Sequence, residues 1–232
     1  MRFCRCEMLI GADALENLKN SSVAVFGVGG VGGYVVEALT RSGVGRIAII
    51  DKDVVDESNI NRQIVALTST IGQNKVDVMK QRMLDINPDV KVETHCEFYL
   101  PDNADFIELG SFDYVVDAID NVTAKIELIK RCKQADVPII SAMGAGNKLD
   151  PTRIEIADIS KTSVCPLAKV IRRKLADLGI EGVTVAYTRE IPANASGGRT
   201  PASMMPVPAA MGLTMASKVL RDLSGMRIKS KS

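Results

Sequence analysis

The stretch "VFGVGGVGGYVVEALTRSGVGRIAIID", Val25 to Asp51, decides the fold. It opens on a Val-rich strand, passes through the glycine-rich turn "GVGGVG", continues as a helix ended near Gly43, and closes on a second apolar strand that finishes at Asp51. Gly27, Gly29 and Gly32, with Gly30 between them, satisfy the G-x-G-x-x-G spacing that lets phosphates approach the main chain at a helix N-terminus. Gly27 permits the tight turn, Gly29 the close approach of phosphate, and Gly32 the close packing of helix on sheet. Asp51 stands 19 residues beyond Gly32, where a carboxylate can accept hydrogen bonds from ribose hydroxyls. This pattern fits NAD as well as ATP, so the turn announces a nucleotide without choosing it.

Outward from this unit, short Val- and Ile-rich runs alternate with helical patterns. "SVAVFG", "RIAIID", "VKVETH", "FDYVVDAID" and "VPIISA" read as buried strands. "GGYVVEALTRSG", "NKVDVMKQRMLDIN" and "NVTAKIELIKRCKQA" read as the helices between them. Alternation at this spacing implies right-handed crossovers, hence an α/β fold: a doubly wound, Rossmann-like, mostly parallel sheet with both faces covered. Beyond about Asn147 come two further strands, "TRIEIADIS" and "GVTVAYTRE", expected to extend the sheet in antiparallel fashion, and the helices "PLAKVIRRKLADLG" and "MGLTMASKVLRDLSG". The expected organisation is an ATP-binding core over 1–146, distal strands and helices over 147–225 completing the same domain, a mobile loop over about 191–205, and a disordered basic tail over 226–232.

Composition narrows the class. The chain has 232 residues, 46% of them apolar, which is enough for a substantial core. It contains no apolar run near the roughly 20 residues a membrane span needs, and the opening "MRFCRCEMLIGADAL" does not read as a signal peptide, so a cytoplasmic location and no membrane partner are expected. Five scattered cysteines without a C-x-x-C pair suit free thiols rather than disulfides or structural zinc. His95, the single histidine, reads as a strand residue with no special task. Residues 1–140 carry 15 Lys and Arg against 21 Asp and Glu, whereas 141–232 carry 14 against 7. The distal part is therefore net positive by seven, a modest footprint for a polyanion that a solvated basic face would also explain.

The residues beyond Asp51 separate hydride transfer from phosphate chemistry. "SNINRQ" places Asn59, Asn61, Arg62 and Gln63 together, and "GQNKV" brings Lys75 to the start of the next helix. A dehydrogenase does not need this cluster, whereas a triphosphate does, because Arg and Lys neutralise the charge that develops as pyrophosphate departs. At the end of "DYVVDAIDN" stand Asp117, Asp120 and Asn121. A carboxylate there can hold Mg²⁺ on the phosphates, and Asp120 is the expected metal residue. Arg62, Lys75 and Asp120 are thus the expected catalytic residues.

In order, "GVGGVG", Asp51, "SNINRQ", "GQNKV" and "DAIDN" resemble the adenylation domain shared by ubiquitin-activating enzymes and the bacterial adenylyltransferases of thiamine and molybdopterin biosynthesis, over roughly residues 5–145. The resemblance implies that Asp51 binds ribose, that Asn59 and Lys75 contact the triphosphate, and that Asp120 handles Mg²⁺. It implies a homodimer in which Arg62 reaches the neighbouring site, and that Arg5 also meets the phosphates. The reaction class it implies is attack of a carboxylate on the α-phosphate of ATP, giving an acyl-adenylate and pyrophosphate. ATP and Mg²⁺ are the implied cofactors, with a monovalent cation as a further candidate.

Departures from the carrier-activating members point to a branch. The paired zinc cysteines are missing, and Cys165 in "KTSVCPLAK" has no evident base near it in sequence. The segments "GAGNKLDPTRIEIADISKTSVCPLAKVIRRKL" and "PVPAAMGLTMASKVLRDLSG" instead resemble the tRNA-modifying branch of the family, whose members close threonylcarbamoyladenosine into a ring with loss of water. That resemblance implies tRNA carrying threonylcarbamoyladenosine as substrate, and a sulfur-relay protein as a possible partner. Lys148, Arg153, Lys169, Arg172, Arg173 and Lys174 become candidates for tRNA phosphate contacts. Three other readings stand beside it: an adenylyltransferase for a ubiquitin-like sulfur carrier, an NAD oxidoreductase, and a noncatalytic nucleotide-binding scaffold using Cys165.

Overall fold

The computed structural model describes residues 2–193 and 201–226. The expected loop over 191–205 lies partly, and the expected tail over 226–232 almost wholly, outside the described residues.

Seven strands form one sheet: β1 (Ser22–Phe26), β2 (Arg46–Ile50), β3 (Lys91–His95), β4 (Tyr114–Asp117), β5 (Ile139–Ala142), β6 (Ile154–Asp158) and β7 (Thr184–Thr188). Their order is β3-β2-β1-β4-β5-β7-β6. Strands β1 to β5 pair in parallel, with Val25 opposite both Ile49 and Val116. All five residues of β1 and all four of β4 and of β5 are buried, as expected of central strands covered on both faces. The antiparallel expectation for the distal strands holds for one pair: β7 joins β5 in parallel, and β6 alone runs antiparallel against β7.

Helices fill both faces. α3 (Gly32–Arg41), α4 (Lys75–Ile86) and α7 (Pro206–Ser224) enclose one core around Val23, Val25, Leu39 and Met215. α5 (Val122–Gln134) and α6 (Pro166–Asp177) enclose the other around Phe26, Leu128, Ile171 and Tyr187. Each fully buried aliphatic side chain contributes about 1.5–3 kcal/mol from removal of apolar surface, before conformational entropy is counted.

Two short helices, α1 (Cys4–Ile10) and α2 (Ala12–Asn20), precede the sheet and were not read from the sequence. α1 buries no residue, so it leaves no apolar periodicity to detect. α7 begins at Pro206, five residues earlier than the pattern suggested. Pro206 and Pro208 fall in its first turn, where a missing N–H costs no intrahelical bond. Its far end is capped by left-handed Gly225, as the sequence implied. His95 ends β3 with its ring 5.4 Å from that of Phe106.

Candidate active site

The sheet reverses direction of growth between β1 and β4, since the chain builds β2 and β3 on one side and β4 and β5 on the other. Adjacent crossovers depart to opposite faces there, and a crevice opens beyond the carboxyl ends of the strands. A cleft of about 700 Å³ occupies this position. Phe26 and Gly27 line it from the end of β1, Ile50 and Asp51 from β2, Ala118 to Asp120 from β4, and Ala142 and Met143 from β5.

Local geometry builds the glycine turn. Gly27 adopts φ 90° and donates its N–H to the carbonyl of Ile50 at 2.7 Å. A Cβ there would stand 2.7 Å from the Ala118 carbonyl oxygen, and one on Gly32 only 1.8 Å from the Gly27 carbonyl oxygen. Gly27 and Gly32 are therefore demanded by strand and helix packing. Gly29 differs, because a Cβ would meet nothing nearer than the Gln63 side chain at 3.8 Å. Its open face is the part of the turn that a phosphate can approach.

Asp51 ties this turn to the neighbouring strand. Its Oδ2 accepts from Val28 N–H at 2.7 Å and its Oδ1 from Asp53 N–H at 2.9 Å. A carboxylate offers about four lone-pair sites, so acceptor capacity remains for ribose hydroxyls. The carboxylate thus shapes the turn as well as lining the cleft.

Residues 56–63 form a tight knot that delivers three expected side chains. The Asp56 carboxylate accepts from Ser58 N–H, and Asn59 Oδ1 accepts from Asp56 N–H. The Asn59 carbonyl in turn accepts from the N–H groups of Arg62 and Gln63. This folds Arg62 against Gly30, its Cγ lying 3.5 Å from where a Cβ on Gly30 would stand. Arg62 donates to the carbonyl of Ser58 and to Asn61 Oδ1, each at 2.8 Å, and lines the cleft of its own chain. Gln63 Oε1 is buried without a hydrogen-bond partner among the described residues. An orphaned buried acceptor beside the glycine turn fits a ligand that brings a donor there.

Lys75 opens α4 and is 5% exposed, its ammonium 3.0 Å from Asp53 Oδ2. Asp53 is half-exposed and faces the same cleft, so an incoming polyphosphate would compete with it for the cation. Asp120 is exposed on the cleft wall, and its carboxylate makes no hydrogen bond or ion pair among the described residues. Gly27, Gly29, Gly30, Asp51, Asn59, Arg62, Gln63, Lys75 and Asp120 are thus brought together around one cleft.

Asp117, Asn121, Arg5 and Gly32 do not line it. Asp117 is fully buried beneath the cleft: Oδ2 pairs with Lys125 at 3.0 Å and accepts from Ser141 Oγ, while Oδ1 accepts from Ile119 N–H at 3.1 Å. Its part is to hold the loop that carries Asp120, which corrects the expectation of direct ligand contact. Asn121 is the N-cap of α5, its side chain accepting from Ala124 N–H. Arg5 is exposed on α1.

Sequence reasoning named Lys148 and Cys165 but not their place in the cleft, and it missed Lys52. Lys148 is 4% exposed, lines the cleft and donates to the Glu190 carbonyl. Burial pushes its ammonium below the usual lysine value, partly offset by Cys165 and Glu190. Cys165, at the N-terminus of α6, lines the same wall, and Lys148 is the cation beside it. Lys52 stands 4.2 Å over the Phe98 ring where both border the cleft. These approaches join residues far apart in sequence, and no local spacing signals them.

The family model described as "ThiF family" matches residues 3–232. The chain belongs to the ThiF family. Among curated relatives, this ThiF-family chain is 48% identical to tRNA threonylcarbamoyladenosine dehydratase of Bacillus subtilis, with 99% of each chain covered. It is 41% identical to the Escherichia coli protein of the same name, over 77% of this chain and 67% of the relative. The crystal structure of the E. coli dehydratase in complex with ATP superposes with a TM-score of 0.91 at 35% identity, covering 97% of this ThiF-family chain and 94% of the other. Adenylyltransferase–sulfurtransferases are more distant: that of Culex quinquefasciatus is 38% identical over 57% of the chain and 30% of its own length. Among the described residues, no helix is long and apolar enough to cross a membrane.

Proposed function

We propose that the chain is an ATP-dependent tRNA threonylcarbamoyladenosine dehydratase acting in the cytoplasm. The observation that supports this reading is that Arg62, Lys75 and Asp120 line the same cleft as Gly27, Gly29 and Gly30. Two cations and an uncommitted carboxylate suit a triphosphate and its metal, whereas an NAD pyrophosphate carries less charge and would leave them without a task.

The threonyl carboxylate of the modified adenosine is already ionised at neutral pH, so no general base is required. One of its oxygens attacks the α-phosphorus of ATP and pyrophosphate leaves, with Arg62 and Lys75 stabilising the departing charge. Asp120 would hold Mg²⁺ together with phosphate oxygens, and the ion supplies further neutralisation of that charge. The carbamoyl group of the same side chain then attacks the activated carbonyl, and the ring closes as AMP departs with the former carboxylate oxygen and the carbamoyl group releases one proton to water. The net change is loss of one water. Lys148, on the wall of the same cleft, is a further cation that would meet an anionic substrate.

A homodimer is part of this proposal. Arg5, Met8 and Leu9 share one face of α1, and Met8 and Leu9 are 86% and 83% exposed. A second copy covering this apolar face would also bring Arg5 towards a neighbouring cleft. The test of the function is incubation with ATP, Mg²⁺ and tRNA carrying threonylcarbamoyladenosine, following AMP release and nucleoside mass. Loss of one water from the nucleoside, stoichiometric with AMP, is expected. Arg62→Ala and Asp120→Ala should each lower turnover by about 100-fold or more with unchanged melting temperature. AMP formation that leaves the nucleoside mass unaltered would overturn the reading.

A further inference from the structure

The structure sorts the six cations that the sequence offered for tRNA, and the sorting isolates one helix face. Lys148 is buried in the cleft wall. Arg153 is held by Asp150 at 3.1 Å. Arg172 is half-buried and spends its guanidinium on Thr162, donating to the carbonyl at 2.9 Å and to Oγ1 at 2.7 Å. Lys169, Arg173 and Lys174 remain: all three are exposed on α6, and none has a carboxylate within ion-pair distance among the described residues.

Most cations on the other helices are committed: on α5, Lys125, Lys130 and Arg131 are paired with acids and Lys133 donates to the Gly182 carbonyl, and on α7 Lys218 is paired with Asp222 while Arg221 donates to the Ser217 carbonyl. The α6 face keeps its charge free although Asp177 lies within one turn. The helix is also tethered to the cleft: Cys165, Pro166 and Leu167 at its start line the pocket, and Ala168, Ile171 and Leu175 bury its opposite side. The exposed face therefore runs outward from the cleft. Lys169 and Arg173 are four residues apart, a rise of about 6 Å along the helix, close to the separation of neighbouring phosphates on a nucleic-acid strand.

We propose that the solvent face of α6, through Lys169, Arg173 and Lys174, is the track that holds the phosphates of tRNA while the modified nucleoside occupies the cleft. The inference rests on the dehydratase reading and adds to it the surface that binds the nucleic acid. RNA is favoured over an acidic protein because the three charges are without acidic partners among the described residues and lie on a helix whose start lines the cleft where a nucleoside must enter.

The test compares the wild-type protein with a Lys169→Ala/Arg173→Ala/Lys174→Ala variant, using tRNA binding across 50–200 mM salt. All three residues are exposed, and melting temperature together with ATP affinity verifies that the fold and the nucleotide site are retained. Each lost phosphate contact should lower the slope of log K against log salt by about 0.7–0.9, so the triple variant should lose about 2–3 in slope and bind tRNA at least about 10-fold more weakly. Lys130→Ala, at a cation paired with Glu127, should leave both quantities unchanged. A triple variant with wild-type affinity and slope overturns the proposal. So does selective loss of binding to a polyglutamate probe with tRNA binding kept, which would assign the face to an acidic protein. Failure of the wild-type protein itself to dehydrate modified tRNA would strike the underlying function, whereas normal wild-type activity with an unaltered variant strikes the α6 assignment alone.

Discussion

Replacing Lys125 by methionine tests how the fold holds its catalytic loop. The Lys125 ammonium and the Asp117 carboxylate are both 0% exposed and 3.0 Å apart, and Ser141 completes the cluster with a hydroxyl on the same oxygen. At an effective dielectric near 20, charges at that distance attract by about 5–6 kcal/mol, against which the desolvation of both ions must be set. Methionine keeps the shape of the stem but leaves the carboxylate buried without its cation. The expected loss is about 3–5 kcal/mol, which for a domain of this size corresponds to a fall in melting temperature of about 6–20 °C. The double variant Asp117→Asn/Lys125→Met removes both charges and should recover part of that loss, a coupling of order 1–3 kcal/mol in a denaturant cycle. Because Asp117 Oδ1 also fixes Ile119 N–H, the single variant should raise KM for ATP by loosening the loop that carries Asp120. A single variant melting within about 2 °C of the wild type would refute the reasoning, since it would mean that the pair is hydrated or dispensable.

The two kinds of glycine should separate in experiment. Gly29→Ala should preserve the melting temperature yet raise KM for ATP, because its Cβ meets only Gln63 at 3.8 Å and projects onto the open face of the turn. Gly32→Ala should instead destabilise the whole chain by several kcal/mol in denaturant unfolding, its Cβ lying 1.8 Å from the Gly27 carbonyl. Burial alone would raise the Glu37 pKa, but hydrogen bonds from Arg82 and Arg41 outweigh it and hold the carboxyl below its usual value. A depressed carboxylate contributes stability above its unfolded pKa of about 4.3 and loses it as pH falls through the folded value. Glu37→Gln should therefore be less stable than wild type at pH 7, with the difference narrowing in thermal melts below about pH 4. Cys165→Ala should retain most dehydratase activity in the AMP assay, because ring closure is intramolecular; a folded but inactive variant would reinstate a thiol mechanism.

Much of the fold was legible because its signals are local. Every strand announced itself by a short apolar run, and the spacing of Gly27, Gly29 and Gly32 followed by Asp51 stated both the βαβ unit and its ligand class. Of the site, the residues within one or two turns of those motifs were found: Asn59, Arg62, Gln63, Lys75 and Asp120 all reach the cleft. α1 was missed because a helix that buries nothing carries no apolar period.

What tertiary structure alone decided is which side chains face inward and which charges meet. Asp117 and Asp120 stand three residues apart with the same chemistry, yet one is sealed at the end of β4 by Lys125 and the other is open to the cleft. Lys148 and Lys169 are both lysines of a basic distal third, but one is buried against Glu190 and the other is solvated on α6. Sequence specifies the local backbone and the stripe each element must bury. The role of a charge depends on its solvation and on partners brought from distant segments, and both exist once the layers have packed.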